Sequence, residues 1–190
     1  MKTRIVLLVC FVCSLAFYGC ADQPHTFHGT QLQPPMTFAD FALTNQDNQA
    51  MRMSDYRGNW VLVYFGYTNC PDECPLTLAQ FKKIHDDLGT DAAHARFVFV
   101  TVDPVRDTPE QMKAYLGQFD PSFIGLTGTP ATLNLMYAKY GVAAEANQDK
   151  FNHTNAMYLF DDQGQLSLIY TGVDWQNVAA DLRVLLKKRV

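Results

Sequence analysis

Cys70 and Cys74 stand four residues apart in the segment T-N-C-P-D-E-C-P (68–75). In near-helical backbone, residues at i and i+4 share one face a single turn apart. Both sulfurs can then grip one ion, or join each other across a Cα separation of about 6 Å that a disulfide tolerates. A helix N-terminus at this point would stabilise thiolates through its free N–H groups and dipole, raising metal affinity and nucleophilicity together. The pair therefore admits metal binding and dithiol chemistry without separating them. Two buried structural thiols fit less well, because Asp72 and Glu73 lie between the sulfurs and Pro71 and Pro75 border the segment.

The compartment follows from the other three of the five cysteines, Cys10, Cys13 and Cys20. Residues 1–20 begin with Lys2 and Arg4, continue through an apolar run (5–18) and close on Gly19-Cys20, the layout of an export signal. The run is shorter than the roughly 20 apolar residues of a comfortable transmembrane helix. Gly19-Cys20 resembles the lipobox of bacterial lipoproteins, which makes Cys20 the expected lipidation site; Phe17 and Tyr18 are bulkier than that pattern usually has, and an uncleaved anchor is the alternative. Either way the domain is expected in a bacterial cell envelope, held to the membrane on the periplasmic side. Residues 21–37, with three prolines and no helical or strand period, read as a flexible tether. The domain proper is expected over 38–190. In an exported protein, its two cysteines are a disulfide, a metal pair or a redox pair.

Composition sets outer bounds. With 15 Lys+Arg against 19 Asp+Glu, a net charge of -4 and 48% hydrophobic residues, the chain describes one ordinary folded domain. Its longest basic run is Lys187-Lys188-Arg189, which gives no footprint for nucleic acid.

Softness narrows the metal. Paired thiolates favour Cu(I), Zn or iron–sulfur clusters, but structural zinc normally takes four protein ligands and a cluster needs more cysteines than the domain has. Cu(I) accepts two or three ligands. Of the five histidines, His25 and His28 fall in the tether and His94 follows a helix end, so all three read as solvated. His85 lies beside an apolar helix face and reads as packing. His153 opens the segment H-T-N-A-M-Y-L-F-D-D, where a sheet end would fix its imidazole, although position alone is a weak signal of ligation.

The elements that must position these groups follow from periodicity. A hairpin is expected over 38–53 around N-Q-D-N-Q, then a buried strand over 60–65 whose side chains are almost all apolar. Leu78, Phe81, Ile84 and Leu88 mark a helix stopped by Gly89, and a second buried strand covers 97–102. Thr108-Pro109 and Thr129-Pro130 start two helices, running to about Gln118 and Gly141. Strands at 156–160 and 166–170 form a hairpin, and Asp174 opens a last helix. Periodicity supports an α/β fold with a partly parallel sheet. The order of elements, with cysteines at the end of the first buried strand, resembles thioredoxin-like, peroxiredoxin-related domains, a mixed sheet flanked by helices.

Three separated motifs, Y-F-G-Y-T-N-C-P-D-E-C-P (64–75), T-V-D-P-V-R-D-T-P (101–109) and H-T-N-A-M-Y-L-F-D-D-Q-G (153–164), resemble in order and spacing the Sco/SenC family of copper-binding proteins. The resemblance covers roughly residues 38–188. It implies copper held by Cys70, Cys74 and His153, and delivery of that copper to the CuA site of cytochrome c oxidase subunit II. A copper donor protein and a thiol reductant are implied as further partners, since a Cys70–Cys74 disulfide would block loading. Asp103 and Asp107 match acidic positions of the middle motif, near the metal or a partner surface; Asp107 could equally cap the helix at Thr108. Thr154 stands where the family commonly has Ser, and Phe160 where Ile is usual. Two other activities remain open on the residues: a thiol-disulfide reductase acting on exported cysteines, and a peroxiredoxin-type peroxidase. The last fits poorly, because Thr68 lies two residues before Cys70 rather than three.

Overall fold

The computed structural model describes residues 25–37, 40–147, 150–172 and 174–187. The export segment, with Cys20 as its expected lipidation site, lies outside these residues, and no helix among the described residues is long and apolar enough to cross a membrane.

The sheet is built outward from its most apolar strand. In β4 (Trp60–Gly66) every side chain is buried, which requires neighbours on both edges and layers on both faces. Strand β5 (Ala95–Thr101) pairs with it in parallel on one side and β9 (Ala156–Phe160) antiparallel on the other. Strand β6 (Ile124–Thr127) extends the parallel part. With β1 (Thr30–Thr37), β2 (Ala42–Asn45), β3 (Ala50–Arg52) and β10 (Gln165–Thr171), the eight strands run in the order β1-β10-β9-β4-β5-β6-β2-β3. The expected α/β mixed sheet is present.

Helices cover both faces. Alternation along β4 sends Tyr64 toward Phe81 of α1 (Glu73–Leu88) and toward Phe99 of β5, which meets Tyr115 of α2 (Pro109–Leu116). The next residue, Phe65, meets Tyr137 and Tyr140 of α3 (Pro130–Tyr140) on the opposite face. The last helix, α4 (Trp175–Lys187), packs against α1. Both Thr-Pro helix starts appear as expected, with Thr108 Oγ1 accepting from the Gln111 N–H and Thr129 Oγ1 from the Thr132 N–H.

Two expectations for the N-terminal segment need correction. Residues 30–37 are not tether: they form the edge strand β1, paired with β10, with a register shift between Gln31 and Met36 that brackets Pro34 and Pro35. An edge strand needs its N–H groups on one side only, so prolines are tolerated at such a bulge and hide the strand pattern from the sequence. His25 and His28 are not free surface residues either. Both imidazoles bond Asp181 Oδ1 at 2.9 Å, while the N–H groups of His28 and Gly29 and the Tyr170 hydroxyl donate to Oδ2. Asp181 is fully buried within α4, and a buried carboxylate demands such partners.

The acid stability of the fold should report this clasp. Burial alone would raise the Asp181 pKa, but the bonds from His28, His25 and the two backbone N–H groups outweigh it and hold the carboxyl below its ordinary value. A depressed folded pKa contributes stability in full above the unfolded value of about 4, and that contribution is lost as pH falls through the folded value. Urea unfolding followed at a series of acidic pH values should therefore show a shallower decline below pH ~4 for Asp181→Asn than for the parent chain. An unchanged decline would remove Asp181 from the account.

Candidate metal centre

Strand β4 ends at Gly66, and the chain turns through residues 67–72 into α1. A Cβ at Gly66 would stand 2.9 Å from Cys74 Sγ, 2.9 Å from the Tyr64 ring and 2.8 Å from the Phe99 ring. Only glycine lets the strand end this close to the helix start.

Helix α1 begins at Glu73, so Cys74 is in its first turn and Cys70 stands before it. Asp72, the N-cap residue, makes no side-chain capping bond. The Cys70 sulfur takes that place, accepting the Cys74 N–H at 3.5 Å. The two thiols consequently differ. Burial raises the Cys70 pKa, but the N–H groups of Cys74, Asp72 and Glu73 overcome it and leave the thiol more acidic than usual. Cys74 is fully buried, and burial pushes its thiol far up despite the N–H of Tyr67.

His153 arrives from an element the sequence did not announce. Strands β7 (Ala144–Asn147) and β8 (Lys150–His153) form a separate two-stranded sheet, so His153 closes a hairpin instead of opening β9. Thr154 anchors the base of the hairpin: its N–H donates to the Ala143 carbonyl and its hydroxyl accepts from the Ala143 N–H. The hydroxyl is what this contact uses, so Thr at this position does the work a Ser would. Asn155 then donates to the Glu73 carboxylate and ties the hairpin exit to the first turn of α1.

The imidazole sits between the edges of Tyr64 and Tyr67, with ring centroids at 5.8 and 5.9 Å. Burial, opposed by the Thr154 carbonyl and Glu73, lowers its pKa and keeps it neutral at pH 7. Nδ1 lies 3.4 Å from the Thr154 carbonyl, which can only accept, so the ring proton belongs on Nδ1 and Nε2 carries the lone pair. Nε2 is 3.5 Å from Cys74 Sγ. One ligand atom each from Cys70, Cys74 and His153 lies within 4.8 Å of the others, and both cysteines are free thiols. The three sequence-selected residues thus converge on one point.

Asp103 and Asp107 act at one remove. Asp107 is buried and accepts from the Thr68 hydroxyl (2.6 Å), the Thr68 N–H and the Thr101 hydroxyl (2.6 Å). It fastens the turn before Cys70 to the end of β5 and does not cap α2, a task that falls to Thr108. Asp103 pairs with the Arg106 guanidinium and accepts the Asp107 N–H on its carbonyl. Sequence reasoning missed Gly66, Thr68, Thr101 and Asn155. Gly66 alone had a usable signal, a glycine ending a run of buried bulky residues.

The family model described as SCO1/SenC matches residues 29–187. The chain belongs to the SCO1/SenC family. Among its relatives, a SCO2-like protein of Rickettsia felis is 37% identical over 133 residues, covering 66% of this chain and 65% of that protein. The mitochondrial SCO1 homolog of Mus musculus is 32% identical over 169 residues, covering 82% of this chain and 59% of its own length. The chain thus spans less than two thirds of these relatives. Two solved SCO1/SenC structures superpose closely. Bradyrhizobium japonicum ScoI with copper bound gives a TM-score of 0.72 at 35% identity, covering 77% of this chain and 98% of that one. Apo Sco1 of Thermus thermophilus gives 0.76 at 34% identity, covering 85% and 98%. These likenesses place the expected thioredoxin-like architecture on firm ground.

Two substitutions test how the SCO1/SenC site is built. Gly66→Ala should destabilise the fold by about 1–3 kcal/mol through overpacking against Cys74, read as a lower urea midpoint. Thr68→Val deprives buried Asp107 of one of its two hydroxyl donors and should cost a similar ~1–3 kcal/mol; equal midpoints for the Val variant and its parent would show that the Thr68 hydroxyl adds nothing to the brace.

Proposed function

We propose that the chain is a copper carrier: it binds one copper ion through the Cys70 and Cys74 thiolates and the His153 imidazole, and delivers it to the CuA site of cytochrome c oxidase subunit II. The observation that carries this reading is the convergence of two soft sulfurs and a neutral, correctly protonated imidazole within 4.8 Å. Thiolates favour Cu(I), and the imidazole makes the same shell tolerable to Cu(II). Copper-bound relatives of the same fold support the choice of metal.

Copper here is cargo, so the site must release it. Cys74 is buried while Cys70 is only partly covered, which leaves an incoming ligand one accessible sulfur from which to begin exchange. Asp107 and Asp103 brace the turn that carries this sulfur. A thiol reductant would keep the pair open for loading from a donor protein, and Cys20 would hold the domain to the membrane on the periplasmic side.

A second reading, thiol-disulfide exchange with an exported protein, is favoured by one observation: the acidified Cys70 thiol next to a second cysteine. Titration of the reduced chain with Cu(I), the ion the thiolate pair prefers, separates the two. The parent should retain one equivalent, and Cys70→Ser, Cys74→Ser and His153→Ala should each lose it, whereas a dithiol reductase would keep its activity in His153→Ala. Full copper retention in His153→Ala would overturn the carrier reading.

A further inference from the structure

Among the described residues, His25, His28 and Asp181 form a second cluster with one ligand atom each within 4.8 Å of the others. It lies at the join of the N-terminal segment, β10 and α4, and the function proposed above uses none of it.

The bonds around Asp181 divide unevenly between its two oxygens. Oδ2 takes three donors from the fold, the His28 and Gly29 N–H groups and the Tyr170 hydroxyl. These fix the carboxylate plane. Among the described residues Oδ1 receives the two imidazoles alone, His25 Nε2 and His28 Nδ1, each at 2.9 Å. One oxygen is thus held by the fold and the other is presented to two nitrogen ligands, the arrangement by which outer hydrogen bonds orient a metal-binding carboxylate.

Distances and access suit an ion. Bonds of about 2.0–2.1 Å in a tetrahedral shell put neighbouring ligand atoms about 3.3 Å apart, so each nitrogen need withdraw from Oδ1 by only a few tenths of an ångström. The His25 and His28 side chains are 25% and 40% exposed while Asp181 is sealed beneath them, which gives a fixed floor and an open side for a water ligand. Neutral imidazoles need only move their proton to the other ring nitrogen, His25 to Nδ1 and His28 to Nε2, to offer a lone pair.

We propose that His25, His28 and Asp181 form a second metal site, for a divalent imidazole-preferring cation such as Zn(II) or Cu(II), independent of the cysteine centre. Two imidazoles and a carboxylate suit such ions, whereas the soft thiolate pair suits Cu(I). An ion here would cross-link the N-terminal segment to α4.

The test uses the full chain carrying Cys70→Ser and Cys74→Ser, so that the first centre no longer competes. Titrated separately with Zn(II) and Cu(II), this chain should bind one equivalent that is lost when His25→Gln and His28→Gln are added, and its melting temperature should rise with the metal only while the histidines are present. Equal uptake with and without the histidines, or no uptake at all, would overturn the proposal and leave a hydrogen-bonded clasp. Should the double histidine variant fold poorly, histidine ring NMR of the Cys70→Ser/Cys74→Ser chain gives the answer directly. One equivalent of Zn(II) must shift the His25 and His28 signals ahead of those of His85 and His94, and any other order counts against the site.

Discussion

The first turn of α1 leaves backbone N–H groups with no partner inside the helix, and this constraint organises the centre. In most helices a Ser, Thr, Asn or Asp side chain meets that need. Here Asp72 stands at the position and does not bond, and the sulfur of Cys70 accepts in its place. The group that caps the helix is then also a member of the proposed copper site. Its acidity arises from the geometry that makes the helix begin where it does.

Around that contact the structure supplies three braces, two of them from distant stretches of chain. Asp107 holds Thr68 and Thr101, so the turn before Cys70 is fixed to the end of β5. Asn155 holds Glu73, which brings the exit of the His153 hairpin to the first turn of α1. Gly66 removes the Cβ that would separate β4 from Cys74. The first two braces join residues from separate motifs of the sequence. That is why three short segments, dispersed over about half the chain, behave as one site.

Much of this was legible beforehand, for physical reasons that differ by element. Strands β4 and β5 are long apolar runs, and the starts of α2 and α3 carry Thr-Pro, so periodicity and capping chemistry revealed them. The cysteines were visible because thiols four apart in an exported chain have few bland explanations. His153 was legible only through resemblance, since its hairpin is built of residues with neither strong alternation nor a strong turn signal. The N-terminal segment was misread because prolines at an edge-strand bulge look the same in sequence as prolines in a linker. Asp181 hid in the last helix: nothing in a sequence marks which acid of an amphipathic helix will face inward, and its histidine partners lie more than 150 residues away.

The unequal burial of the two sulfurs bears on how any bound ion would come and go. A donor that is sealed and fully desolvated keeps its thiol protonated until a cation compensates the charge, so Cys74 binds only with loss of its proton. The nearest base is His153 Nε2 at 3.5 Å, which is neutral and is itself a proposed ligand. It cannot keep that proton and bind the ion at once. Proton release must therefore pass onward to solvent as the shell closes, and the reverse passage must accompany opening. In the proposed carrier, loading and unloading at Cys74 are coupled to a proton, while the half-buried Cys70, made more acidic by the helix N-terminus, gives up its proton more readily. The order in which the sulfurs can exchange is set by which of them the fold has buried.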